Sequence, residues 1–146
     1  MSAAPGLVAV ERGRPRSVLV VVTVLVALAV DLLIFAVGRL AGGSYRFTAG
    51  DAPAEVDALT VAGFTVVPLA IGLTLAAVLS RRWPKVLLVA LVVAPVLALV
   101  SVPLLTLPAD FDGTSTVALA LCHVALAVIA VLALLRLRRL DPHRPV

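Results

Sequence analysis

Two ionisable side chains, Asp31 and His123, lie in the middle of otherwise apolar stretches of this sequence. Ionisable groups are costly in hydrocarbon, so residues of this kind indicate a functional site by default. A carboxylate beside an imidazole can handle a proton or cation, or anchor a polar ligand. The same pair can also act as a structural clasp between two helices, and the sequence leaves both interpretations open.

Two hydroxyl residues, Thr65 and Ser101, fall at the same level as this pair. At a rise of 1.5 Å per residue, Asp31 lies roughly 10 Å below one boundary of the apolar region and His123 about 12 Å below it. Thr65 and Ser101 lie about 9–11 Å below the same boundary. We therefore predict one polar layer, with a residue from each of four helices, as a candidate ligand or ion site.

Four apolar runs must position this layer, at approximately residues 18–38, 58–79, 86–107 and 115–135. Each has about the 20 residues that a helix needs to cross the hydrocarbon core of a bilayer. The chain is 62% hydrophobic, which is more apolar surface than a small soluble domain buries. The first run is longer than the roughly 7–15 apolar residues of a cleaved signal peptide, so we expect a retained helix.

Short connections after the second and third runs make consecutive helices antiparallel neighbours. The expected fold is an all-α membrane protein, an up-down four-helix transmembrane bundle in which helices one and four close the ring. Residues 17–136 would form this domain, after a disordered arm at 1–16 and before a basic tail at 137–146. Residues 44–48 alternate and favour one short strand or hairpin arm over the outer mouth, and residues 51–55 favour a turn that starts the second helix.

The charges are asymmetric across the runs. The first and third connections hold Arg39 and Arg46 together with five acidic residues, and the other ten of the twelve basic residues lie on the opposite side. The positive-inside rule then places both termini in the cytoplasm. Basic residues clustered at span ends favour anionic lipid headgroups over nucleic acid as the partner. The expected headgroup contacts are Arg81, Arg82, Lys85, Arg136, Arg138 and Arg139.

Three prolines interrupt the second and third runs: Pro68, Pro95 and Pro103. Each removes one backbone hydrogen bond and bends or loosens its helix. Such kinks either open a cavity that suits a small ligand or simply shape the packing of the bundle.

Several kinds of chemistry lack the residues that they need. The chain has one cysteine, Cys122, so it cannot form an internal disulfide. Cys122 and His123 project about 100° apart on a helix and cannot both bind one metal. A haem held by two imidazoles would need a second histidine within the spans, but His143 lies in the tail. We predict no metal, no cofactor and no catalytic residues.

Three stretches resemble a known family. Residues 31–42, 65–72 and 119–124 are similar to a family of small four-span membrane proteins of unknown function from high-GC Gram-positive bacteria. Asp31 departs from the family pattern, in which an amide is commoner at this position. The resemblance covers nearly all of the chain after Val18. It implies the four-span architecture and the bacterial plasma membrane, and it implies no chemistry.

These observations favour a non-enzymatic accessory or interaction protein. Its partner would be another membrane protein or a second copy of the chain. The alternative is a small proton-coupled transporter or ligand-binding bundle that uses the layer of Asp31 and His123. A lipid- or quinone-binding enzyme is a third candidate, for which the sequence offers no catalytic groups.

Overall fold

A computed structural model describes residues 5–140 of the chain, with side chains from Arg16 onward. It contains four long helices: α1 Pro5–Leu40, α2 Ala58–Leu79, α3 Lys85–Ser101 and α4 Gly113–Arg139. A π-helical turn, Val102–Thr106, continues α3. All four helices are long and apolar enough to cross a bilayer, which confirms the up-down transmembrane bundle.

The helices pack unevenly. α1 lies against both α2 and α4, and α3 lies along α4. α2 and α3 make the least contact of the neighbouring helices, although a short turn joins them. Small residues allow backbones to approach closely in membranes, and the buried stripe of α1 contains Thr23, Ala27 and Gly38. The ring that the sequence predicts is therefore open between α2 and α3.

The two ends of the bundle are different. The hairpin end carries a two-stranded antiparallel sheet, β1 Arg46–Ala49 and β2 Ala52–Glu55, joined by a two-residue turn. Gly50 in this turn has φ +63°, a conformation that glycine adopts without steric cost. The arginine end contains Arg16, the turn between α2 and α3, and the last turn of α4. Each end has its own apolar cluster, and the larger one reaches from the middle of the bundle to the arginine end.

The strand prediction is confirmed, and the predicted turn is wrong. The short strand or hairpin arm predicted near residues 44–48 is the first strand of a hairpin, and its second strand occupies most of the predicted turn at 51–55. α2 begins instead at the N-cap Asp57, whose carboxylate accepts from the backbone N–H of Thr60 at 2.7 Å. This bond satisfies one of the free N–H groups in the first turn of the helix.

One domain boundary also differs from prediction. Residues 5–16, predicted to be disordered, continue α1. A formed span removes the nucleation cost of a helix, so the adjoining residues can extend it. Residues 137–139 of the basic tail continue α4, as the sequence predicts. The rest of the arm, residues 1–4, and the rest of the tail, 141–146, lie outside the described residues.

Candidate functional site

The four residues of the predicted polar layer lie in the half of the bundle nearer the hairpin end, one on each helix. They form two separate pairs. One pair joins α1 to α2, and the other joins α3 to α4.

The first pair is Asp31 with Thr65. The Thr65 hydroxyl donates to Oδ2 of Asp31 at 2.6 Å, and Asp31 is only 2% exposed. Oδ1 of Asp31 is also buried and has no hydrogen-bond partner among the described residues. A carboxylate in a low-dielectric interior needs a counter-charge or a set of donors. This side of Asp31 therefore offers an acceptor where a proton or small cation would bind.

The second pair is Ser101 with His123. The Ser101 Oγ lies 2.8 Å from Nδ1 of His123 and 2.6 Å from the carbonyl oxygen of Ala98. A hydroxyl has one proton to donate. If Ser101 donates to Ala98, as serine in membrane helices often does, His123 must donate from Nδ1, and Nε2 is then its free acceptor.

Asp31 bonds to Thr65 and His123 to Ser101, so the two residues do not form the clasp between helices that was one of the two interpretations of the sequence. Cys122 faces α1 instead, where its sulfur lies 3.7 Å from the carbonyl oxygen of Asp31. Consecutive residues on a helix project about 100° apart. With Cys122 directed at α1, His123 is directed at α3.

A tyrosine closes the hairpin end above this layer. Tyr45 is 0% exposed, and its hydroxyl donates to the carbonyl oxygen of Phe35 at 3.1 Å. Its ring centroid lies 4.5 Å from that of Phe35, and the Arg39 guanidinium lies over both rings. Tyr45 also has φ +56°, which strains a residue with a side chain. The surrounding contacts hold it in this conformation.

Glycines make room for the tyrosine. A Cβ atom at Gly38 would overlap the Tyr45 hydroxyl, and a Cβ atom at Gly43 would lie 2.9 Å from the carbonyl oxygen of Gly38. Both sites therefore require a residue without a side chain. Gly38 and Gly43 thus leave the space into which the tyrosine ring packs.

Two aspartates anchor the hairpin to the start of α4. Asp112 caps α4 through the N–H of Ser115 at 2.9 Å, and it also accepts from the N–H and hydroxyl of Ser44. These donors, the Ser115 hydroxyl first, hold the pKa of Asp112 well below its usual value. Asp110 accepts from the N–H and hydroxyl of Thr48, and these bonds lower its pKa. Both carboxylates therefore favour the docked hairpin in their ionised form.

A buried arginine ties together the other end. Arg16 is 5% exposed; it donates to the carbonyl oxygen of Ala77 at 3.1 Å, to Oγ of Ser80 at 3.2 Å and to the carbonyl oxygen of Leu140 at 3.3 Å. These acceptors lie at the C-terminal ends of α2 and α4, where the helix dipole favours a cation. Arg16 thus joins α1 to both helices, although the sequence placed it in a disordered arm.

The prolines behave differently from one another. Pro68 and Pro95 lie inside α2 and α3, which continue past them. At Pro103 the helix changes to the π-helical turn, and proline has no N–H to donate to the carbonyl of Leu99. That carbonyl accepts instead from the N–H of Val102. The π-helical turn lies at the end of the third helix where the sequence predicts that Pro103 bends or loosens it.

The predicted headgroup residues all lie at the arginine end. Most are exposed, and Arg138 is half-buried. The described side chains contain no group of three or more His, Cys, Asp and Glu residues placed to hold a metal ion.

The sequence did carry signals for two residues that its analysis missed. Arg16 precedes Thr23 by seven positions, so it extends the stripe through Ala27 and Asp31. Tyr45 is the one tyrosine of the chain and follows Gly43 closely. Neither pattern alone indicates burial, because basic and aromatic residues are both common at the ends of spans.

Comparison with family models matches residues 11–140 to a family of unknown function, DUF6069. The chain belongs to this family. The matched region contains all four spans, both polar pairs, the hairpin and Arg16. No curated protein sequence and no solved structure matches the chain.

Proposed function

We propose that this DUF6069 member is a non-enzymatic component of the bacterial plasma membrane that acts by binding another membrane-embedded helix along α3. The uneven packing of the bundle carries this proposal. Within α3, Leu87 is the buried side chain, whereas α2 and α4 each bury six or more. α3 also has little contact with α2. Helices in a bilayer associate through close packing, and α3 has the most surface free for it.

The contacts inside the bundle support a structural role for its interior rather than a catalytic one. Thr65 and Ser101, two of the hydroxyl groups within the spans, are each engaged in a contact between helices. Tyr45 packs into the bundle at one end, and Arg16 joins three helices at the other. Because its helices are joined at both ends, we expect the bundle to stay rigid. Rigidity suits a protein that binds a partner better than a protein that must open to admit a substrate.

Orientation follows from charge. The arginine end would face the cytoplasm, because basic residues near span ends are retained on that side. Both termini would then be cytoplasmic, and the exposed arginines would contact the anionic headgroups of that leaflet.

Site-specific photo-crosslinking in native membranes tests the partner surface. A photoreactive residue at Leu97 on α3 is compared with one at Leu33 on α1, since both side chains are 65% exposed. We expect a protein adduct of discrete mass from position 97 and lipid adducts alone from position 33. Equal protein adducts at both positions, or none at position 97, would contradict binding through α3.

A second candidate function is proton or cation handling by Asp31. The observation that favours it is the buried Oδ1 atom without a partner. Intramembrane carboxyls of this kind occur in proton relays and transport sites. In this role Thr65 would orient the carboxyl group through its hydrogen bond to Oδ2.

Proteoliposomes test this second candidate. A pH gradient should decay faster with the wild-type protein than with Asp31→Asn, and Asp51→Asn should behave as wild type because Asp51 lies in the exposed hairpin turn. Equal decay for wild type and Asp31→Asn would rule out proton movement through this carboxyl group.

A further inference from the structure

A groove lies between α1 and α4 at the arginine end. Its volume is about 420 Å³, and it opens on the surface of the bundle. Aliphatic side chains and two arginines line it, and its surface is almost wholly apolar: Val18, Leu19, Val22, Arg136, Arg139 and Leu140.

The lining residues come from both helices. α1 supplies three of the aliphatic side chains, of which Val18 and Val22 are one turn apart on the same face, and Leu140 at the end of α4 supplies the fourth. α4 supplies Arg136 and Arg139, which are three residues apart and therefore neighbours on one face. The lining contains no acidic residue. The arginine stems therefore continue the apolar surface of the groove, and both arginines are exposed, so their charged ends can reach the headgroup level beside it.

Arg16 holds the wall of this groove in place. It donates to the carbonyl oxygen of Leu140, a lining residue, while its other nitrogen donates to Ala77 and Ser80 on α2. The end of α4 is therefore fixed relative to α1. A fixed groove loses less entropy on binding than one that must be ordered by its ligand.

We propose that this groove binds one anionic phospholipid. Its phosphate would accept hydrogen bonds from Arg136 and Arg139, because guanidinium groups match phosphate oxygens in geometry and charge. One acyl chain would lie along Val18, Leu19 and Val22. A phospholipid fits both parts of the groove, since the arginines lie at the end of a span, at headgroup level, and the aliphatic residues extend from them toward the hydrocarbon.

The site is distinct from general attraction between a basic surface and an anionic membrane. Arg81 and Arg82 lie exposed at the same end of the bundle, in the turn between α2 and α3. They carry the same charge as Arg136 and Arg139 but do not line the groove. Diffuse attraction would weaken equally when either pair is neutralised, whereas a specific site depends on the pair that lines it.

Native mass spectrometry of the purified full-length protein in detergent tests the proposal. The probes are phosphatidylglycerol and phosphatidylcholine with the same acyl chains. We expect one retained phosphatidylglycerol and little phosphatidylcholine. The double variant R136Q/R139Q should bind phosphatidylglycerol about thirty-fold more weakly, and R81Q/R82Q should bind it within about twofold of wild type.

A second pair of variants tests the apolar wall without changing the charge. Val22→Trp fills the groove and should reduce binding, whereas Val26→Trp, one turn further along the same face of α1 and outside the lining, should not. Both valines are exposed, so the bundle tolerates the larger ring.

Several results would overturn the proposal. Equal loss in the two arginine double variants would show diffuse attraction alone. Equal retention of both lipids would show that the headgroup is not recognised. Inorganic phosphate or an acidic peptide could also displace the bound phosphatidylglycerol. If either does so at the same concentration as added phosphatidylglycerol, the arginines bind a different ligand.

Discussion

Gly38→Ala should destabilise the bundle although it adds one methyl group to a helix. In an exposed helix interior this substitution stabilises a protein by about 0.5–1 kcal/mol. At Gly38 the new methyl group would overlap the Tyr45 hydroxyl and lie 2.8 Å from Cβ of Ala118. The tyrosine must then move away from its buried position.

The size of the effect follows from these contacts. Overpacking of a tight interior costs about 1–3 kcal/mol. Loss of the Tyr45 hydrogen bond to Phe35 costs about 0.5–1.5 kcal/mol more. After the gain in helix propensity, the net loss is about 0.5–4 kcal/mol. For a chain of this size it corresponds to a fall of about 2–12 °C in Tm.

Thermal unfolding of the purified protein in detergent measures this loss. Gly63→Ala in α2 is the matched control, because a Cβ atom there meets no other atom within 4 Å. We expect its Tm to equal or exceed that of wild type. Tyr45→Phe removes the overlapping hydroxyl, so the double variant with Gly38→Ala should lose less stability than the sum of the single variants. If Gly38→Ala is as stable as Gly63→Ala, or if the double variant is strictly additive, Tyr45 does not occupy the space beside Gly38.

Three further predictions follow from the other contacts. Arg16→Gln should cost about 2–4 kcal/mol in detergent, and Arg16→Lys should restore little, because an ammonium group cannot reach the same three acceptors. The pKa of Asp112 is lowered in the folded protein, so its ionised carboxylate stabilises the fold above the ordinary pKa of 3.8, and this stabilisation is lost as the pH falls below that value. Asp112→Asn should therefore flatten the acid side of a plot of Tm against pH. An unchanged slope would contradict this. A double-mutant cycle of Asp31→Asn with Thr65→Val should give a coupling free energy of about 0.6–1.7 kcal/mol, whereas Asp31→Asn with His123→Gln should be additive.

The spans were predictable because a bilayer requires every backbone polar group within it to be hydrogen-bonded inside the protein. A helix that satisfies its own backbone hydrogen bonds and carries about 20 apolar residues can cross a bilayer whatever its neighbours are. The predicted runs at 58–79 and 86–107 accordingly match α2 and α3 with its π-helical turn. The depth of the polar layer was predictable, because the depth of a residue in a helix depends only on the number of residues that separate it from the boundary.

The pairing within the layer was decided by tertiary structure. Depth does not specify how far each helix is rotated about its axis, and one step of 100° directs Cys122 at α1 and His123 at α3. The burial of Arg16 and Tyr45 likewise depends on acceptors that are distant in sequence, such as Leu140 and Ser115. The sequence by itself determined that four helices cross a membrane and how deep their polar residues lie. The packing of those helices determined which polar groups meet, because that choice depends on rotations that hydrophobicity alone leaves free.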